Sequence, residues 1–65
     1  MKKNYKFFTT MEFVDKIVDR ILLSAMNLIE VIFNEGTQMF TVIINGTRSD
    51  FIDLIKDIDE NVMAA

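Results

Sequence analysis

The sequence predicts an α+β domain of two layers. Its elements run β-α-β-β-α, with an antiparallel sheet of strand order 1-3-2 and both helices on one face. Three observations carry this expectation. Residues 28–45, LIEVIFNEGTQMFTVIIN, hold two apolar, β-branched runs around the turn-prone Asn34-Glu35-Gly36-Thr37, the pattern of a β-hairpin. Residues 11–26 repeat Phe13, Val14, Ile17, Val18, Ile21, Leu22 and Ala25 at three- and four-residue spacing, the stripe of an amphipathic helix. A second such stripe, Phe51, Leu54, Ile55, Ile58 and Val62, marks a helix over residues 48–60.

The first strand is read over residues 3–8, KNYKFF. Side chains alternate across a strand, so Tyr5 and Phe7 point one way and Asn4, Lys6 and Phe8 the other. A third strand is preferred over an irregular N-terminal arm because two strands alone are marginal in water. Thr9-Thr10-Met11-Glu12 then has the form of a capping box, with Glu12 reaching back to the cap amide. Along the helix, Glu12, Asp15, Lys16, Asp19, Arg20 and Ser24 take the polar face. Leu23 falls among them and is expected to be an exposed apolar contact. Asn27 is expected to end the helix, since Asn tolerates the left-handed conformation. Sixteen helical residues span about 24 Å, and a six-residue strand about 20 Å, so the helix has the length to run back across the sheet.

The hairpin strands are read as residues 28–33 and 38–45. Loop parity decides which side chains share a face, because a one-residue slip exchanges the faces. An even loop, Glu35-Gly36 or all of Asn34 to Thr37, gathers Ile29, Val31, Phe33, Phe40, Val42 and Ile44. An odd loop with Gly36 in a left-handed bulge sets Thr41 beside Val31 and Phe40 beside Glu30. The even loop sorts the polar residues better and is preferred. It leaves Leu28, Ile32, Met39 and Ile43 on the second face with only Glu30 and Thr41 for polarity, which is too apolar for a wet sheet face. Those four are the expected self-association residues. The longer, doubly apolar strand 38–45 is placed in the centre. Gly46 follows it, Thr47 or Ser49 caps the last helix, and Asp50 and Asp53 lie favourably near its positive end. The alternative architecture is an α-β-β-α unit whose hairpin joins a second copy in a four-stranded sheet.

The 65 residues make a single domain, 1–65, small enough that its stability is marginal. Small domains of this kind add disulfides, metals or oligomerisation. There is no Cys and no His, which removes disulfides and the usual zinc ligands and leaves oligomerisation, so a homodimer is expected. With 51% hydrophobic residues the chain also holds more apolar material than a domain of this size hides easily. No Pro, repeat or low-complexity stretch interrupts it; only residues 1–2 and 63–65 are expected to be loose. Lys2 and Lys3 are followed by Asn4, Tyr5 and Lys6 where a signal peptide would turn apolar, and Ile21 to Phe33 is too short and too polar to span a bilayer, so a cytoplasmic protein without membrane contact is expected. Asn45-Gly46-Thr47 fits the glycosylation pattern and is read as a turn.

Catalysis finds little material. Neither a Cys nor a His is present as nucleophile or base, and neither glycine sits in a phosphate-cradling motif. The expectation is therefore no enzyme and no cofactor. Charge is uneven: residues 1–27 are net +2 and residues 28–65 net −5. Asp50, Asp53, Asp57 and Glu60 form an acidic stripe on the last helix. Consecutive turns do not wrap carboxylates around one ion, so the stripe is read as a partner-binding surface or a solvated face, with no metal. The functional expectation is a small protein-binding module acting as a homodimer, an inhibitor or adaptor that presents its acidic face to a basic protein. The alternatives are nucleic-acid binding through Lys2, Lys3, Lys6, Lys16 and Arg20 with Tyr5 and Phe7 as stacking platforms, and a structural subunit of a larger assembly.

Overall fold

The computed structural model describes residues 1–63; Ala64 and Ala65, part of the end expected to be loose, lie outside the described residues. Strand β1 (Lys3–Thr10) leads into helix α1 (Met11–Leu23), followed by β2 (Asn27–Asn34), β3 (Met39–Gly46) and helix α2 (Arg48–Ile58). A π-helical turn, Asp59–Met63, continues α2. The sheet order is β1-β3-β2 and both pairings are antiparallel. This is the predicted α+β architecture, with β3 central.

One cluster holds the two layers together. Ile17 and Ile21 of α1, Leu54 and Ile58 of α2, Val62 beyond it and Met26 between α1 and β2 close over Val42 and Ile44 of β3. Tyr5, Phe7, Phe13, Leu28 and Phe51 pack around them. Inward strand residues therefore alternate as period two requires: Tyr5 and Phe7 on β1 face Ile44 and Val42 on β3. Tyr5 also stacks on Phe51 of α2, ring centroids 4.1 Å apart and planes 7° from parallel. Leu22 was expected in the apolar stripe of α1 but is exposed, and the buried side of that helix narrows to Val14, Ile17 and Ile21.

The hairpin loop has even parity, but it lies one residue later than read. Phe33 pairs with Phe40 and Asn34 with Met39, leaving Glu35 to Gln38 as the loop. The Gln38 N–H donates to Asn34 O at 2.9 Å, and Gln38 rather than Gly36 takes the left-handed conformation, φ 58°. Its side chain compensates by donating from Nε2 to Glu35 O at 2.8 Å. A bulge between Leu28 and Glu30 makes Ile29 the extra residue of β2. The even register is kept from Glu30 onward and is shifted before it. Leu28 thus lies opposite Ile44 and packs on the core, while Ile29 is 54% exposed.

Three boundaries depart from the sequence reading for local reasons. β1 runs on to Thr10, so Thr9 is a buried strand residue and Thr10 is the N-cap of α1, without a side-chain cap hydrogen bond; the capping box is not formed. Helix α1 stops at Leu23 although its periodicity continues. The Ser24 hydroxyl donates to Ile21 O at 2.7 Å and accepts from the Met26 N–H at 3.1 Å, so a short side chain competes for backbone groups and ends the helix before Asn27, which instead opens β2. Gly46 ends β3 within the sheet and Thr47 caps α2, its Oγ1 accepting from the Asp50 N–H at 3.1 Å, so Asn45-Gly46-Thr47 is a strand-to-cap junction rather than a free turn.

Two stability outcomes follow from this packing. Gly46 is buried, and a Cβ there would meet the Sδ of the buried Met26. Gly46→Ala is expected to cost about 1–3 kcal/mol in urea unfolding, whereas Gly36→Ala, which meets nothing within 4 Å, should be close to neutral. The Tyr5 hydroxyl is buried with no hydrogen-bond partner among the described residues. Tyr5→Phe keeps the stack on Phe51 and is expected to leave stability unchanged or raise it by about 1 kcal/mol; a clear loss would show that the hydroxyl is satisfied.

Candidate functional site

The described residues expose 4510 Å², close to the roughly 4,300 Å² expected of a compact chain of this mass. The amount of surface is ordinary, and its composition is the feature of interest. Both helices lie on one side of the sheet, so among the described residues no helix covers the outward row of any strand. Cross-strand register arranges that face in four rows. Asn4, Asn45 and Asn27 form the first, Lys6, Ile43 and Glu30 the second, Phe8, Thr41 and Ile32 the third, and Thr10, Met39 and Asn34 the fourth.

Polar groups inside this face are already engaged. Asn34 Nδ2 donates to Thr41 Oγ1 at 2.9 Å, and Thr41, flanked by Phe8 and Ile32, is buried. At the far end Asn45 Nδ2 donates to Asn4 Oδ1 at 2.9 Å. The centre is therefore apolar and its hydrogen bonds are satisfied. Phe8 is 62% exposed and Ile32 38%. Of the four expected self-association residues, Ile32, Met39 and Ile43 stand on this face, and Leu28 is turned inward by the bulge. Phe8 is the largest outward side chain and was not among the four. Alternation had set it opposite Tyr5 and Phe7, so the signal was present in the sequence. Phe8, Asn34, Met39 and Thr41 also line an open hollow beneath the hairpin loop, together with Phe33 and the loop itself.

The acidic stripe lies on the helix layer, away from this face. Asp50, Asp53 and Asp57 border a shallow depression with Ser24, Ala25 and Leu54. Asp57 Oδ2 is 3.5 Å from Arg20 Nε, and its Oδ1 accepts from Asn61 Nδ2 at 2.6 Å, tying α1 to the end of α2. That ion pair is about one-third exposed on each side, so it contributes little stability. Asp53 and Glu60 are exposed and free of such ties among the described residues. Glu60 sits in the π-helical turn that continues α2. No three acidic side chains gather as metal ligands among the described residues.

The basic residues of the N-terminal half are dispersed. Lys6 stands on the outer sheet face, Lys3 lies 5.2 Å from the Tyr5 ring centroid on the helix side, and Lys16 and Arg20 are on α1. Tyr5 and Phe7 pack against the core, and the Tyr5 ring is taken by Phe51, so neither is a free platform for a base. No helix among the described residues is long and apolar enough to cross a membrane. Comparison with protein-family models, curated proteins and solved structures returned no match to this chain.

Proposed function

We propose that this chain is a small, non-enzymatic protein-binding module that works as a homodimer and offers its acidic helix face to a basic protein partner, as an inhibitor or adaptor does. The observation that carries the reading is the outer sheet face, where Phe8, Ile32, Met39 and Ile43 stand in rows with no element among the described residues over them. Apolar faces of this kind mark association surfaces. The chain has no Cys or His to supply catalysis or a stapling bond, which supports a binding role and a dimer as the stabilising device. A cysteine-free composition also suits the cytoplasm, where small domains do not depend on disulfides.

The acidic face suits a basic partner because Asp53 and Glu60 are exposed while Asp57 is held by Arg20. It lies in the helix layer, so a dimer formed through the sheets would keep both copies of it accessible.

Two measurements test the reading. Sedimentation equilibrium is expected to show a reversible dimer, and a monomer persisting up to about 100 µM would overturn it, since even small specific interfaces associate in that range. A protein captured from host extract by the immobilised chain is expected to be basic and to elute as salt is raised. Asp53→Lys with Glu60→Lys should abolish capture; undiminished capture by that variant would remove the acidic face from the mechanism.

A further inference from the structure

We infer that the second copy docks on the outer sheet face in one particular orientation, face to face about a two-fold axis that runs parallel to the strands and passes over β3. This rests on the homodimer reading above and adds a register to it. The charges on the face carry the inference. The row Lys6, Ile43, Glu30 spans the sheet from one edge to the other, with a cation on β1, an isoleucine on the central strand and an anion on β2. The outer face is thus antisymmetric in charge across its width. A basic or acidic partner would find one edge repulsive. A second copy turned about an axis along the strands lays its β1 over this β2 and its β2 over this β1.

In that orientation Lys6 of each copy meets Glu30 of the other, and both pairs form at once, because an isologous interface makes each contact twice. Ile43 meets Ile43 on the axis. In the next row Phe8 of each copy lies over Ile32 of the other, a large side chain against a smaller one, and Thr41 meets Thr41 with its hydroxyl already accepting from Asn34. Packed sheets lie about 10 Å apart, a gap that a lysine and a glutamate side chain span together. The Asn4, Asn45 and Asn27 row gives one polar rim, and Thr10 and Asn34 flank Met39 at the other. A two-fold axis across the strands would instead lay β1 over β1 and β2 over β2, gathering both Lys6 side chains at one edge and both Glu30 side chains at the other with no opposite charge facing either, and like charges sharing an edge disfavour it. Three strands of eight residues project a flat area of roughly 400 Å² on each copy, about 800 Å² over the pair, which is the size of a weak, reversible association.

The test is charge reversal on the intact chain, read as the dimer dissociation constant by sedimentation equilibrium at low salt, with circular dichroism to confirm folding. Both positions are exposed on the outer face, so neither change disturbs the core. Lys6→Glu and Glu30→Lys are each expected to weaken the dimer about tenfold. The double variant, which swaps the two charges, should return to within about threefold of the parent. An equimolar mixture of the two single variants should form a heterodimer tighter than either variant alone. A parent dimer indifferent to Lys6→Glu, as pairing along the β2 edge would give, overturns the register while leaving the homodimer standing. So does a double variant as weak as the singles. A parent chain that is monomeric overturns the homodimer reading itself.

Discussion

Val42 and Ile44 are the residues on which the rest of this small structure depends. They sit on the central strand, hydrogen-bonded on both flanks, and both are fully buried beneath α1 and α2. Ile21 and Leu54 reach them from separate helices, Ile21 buried as completely and Leu54 almost so. A chain this short has one place where side chains from every element meet, and marginal stability follows from how little else there is to bury. Both helices are needed to close that one cluster. None is left for the other side of the sheet, and the apolar outer face is the direct consequence.

The two edges of the sheet are unequal. β1 carries Lys3 and Lys6, and charged side chains, lysine above all, are how sheets discourage unwanted pairing. β2 has Leu28, Ile29, Val31, Ile32 and Phe33, with Glu30 as its one charge. Its inward residues Val31 and Phe33 are more than one-third exposed, because the helices cover this edge only partly. The bulge at Ile29 breaks the edge ladder near one end and so limits pairing along it. Charge on one edge and a bulge on the other make both edges poor templates for open-ended strand pairing.

Much of the fold was legible because its signals are periodic. The three- and four-residue spacing in α1 and α2, the alternation in β3 and the even hairpin parity each repeat often enough to outvote local exceptions. What was misread turns on single residues. Ser24 ends α1 against the periodicity by bonding its own backbone; Ile29 slips out of register; and Gln38, read as the first residue of the second hairpin strand, closes the loop in the left-handed conformation instead. None of these leaves a repeated trace in sequence. The candidate face shows the same division. Ile32, Met39 and Ile43 were readable from parity, Leu28 was lost to the bulge, and Phe8 was visible in the alternation of β1 but was not joined to the hairpin.

By itself, the sequence determined the types and order of the main elements and, beyond the bulge in β2, which strand residues share a side, since those follow from spacing along the chain. The tertiary structure decided which residues stand beside one another across strands. Only there do Lys6, Ile43 and Glu30, far apart in sequence, become one row with opposite charges at its ends. The physical reason is that register is a property of paired strands. It is set by loop length and by one extra residue in β2, and neither acts until the strands have met.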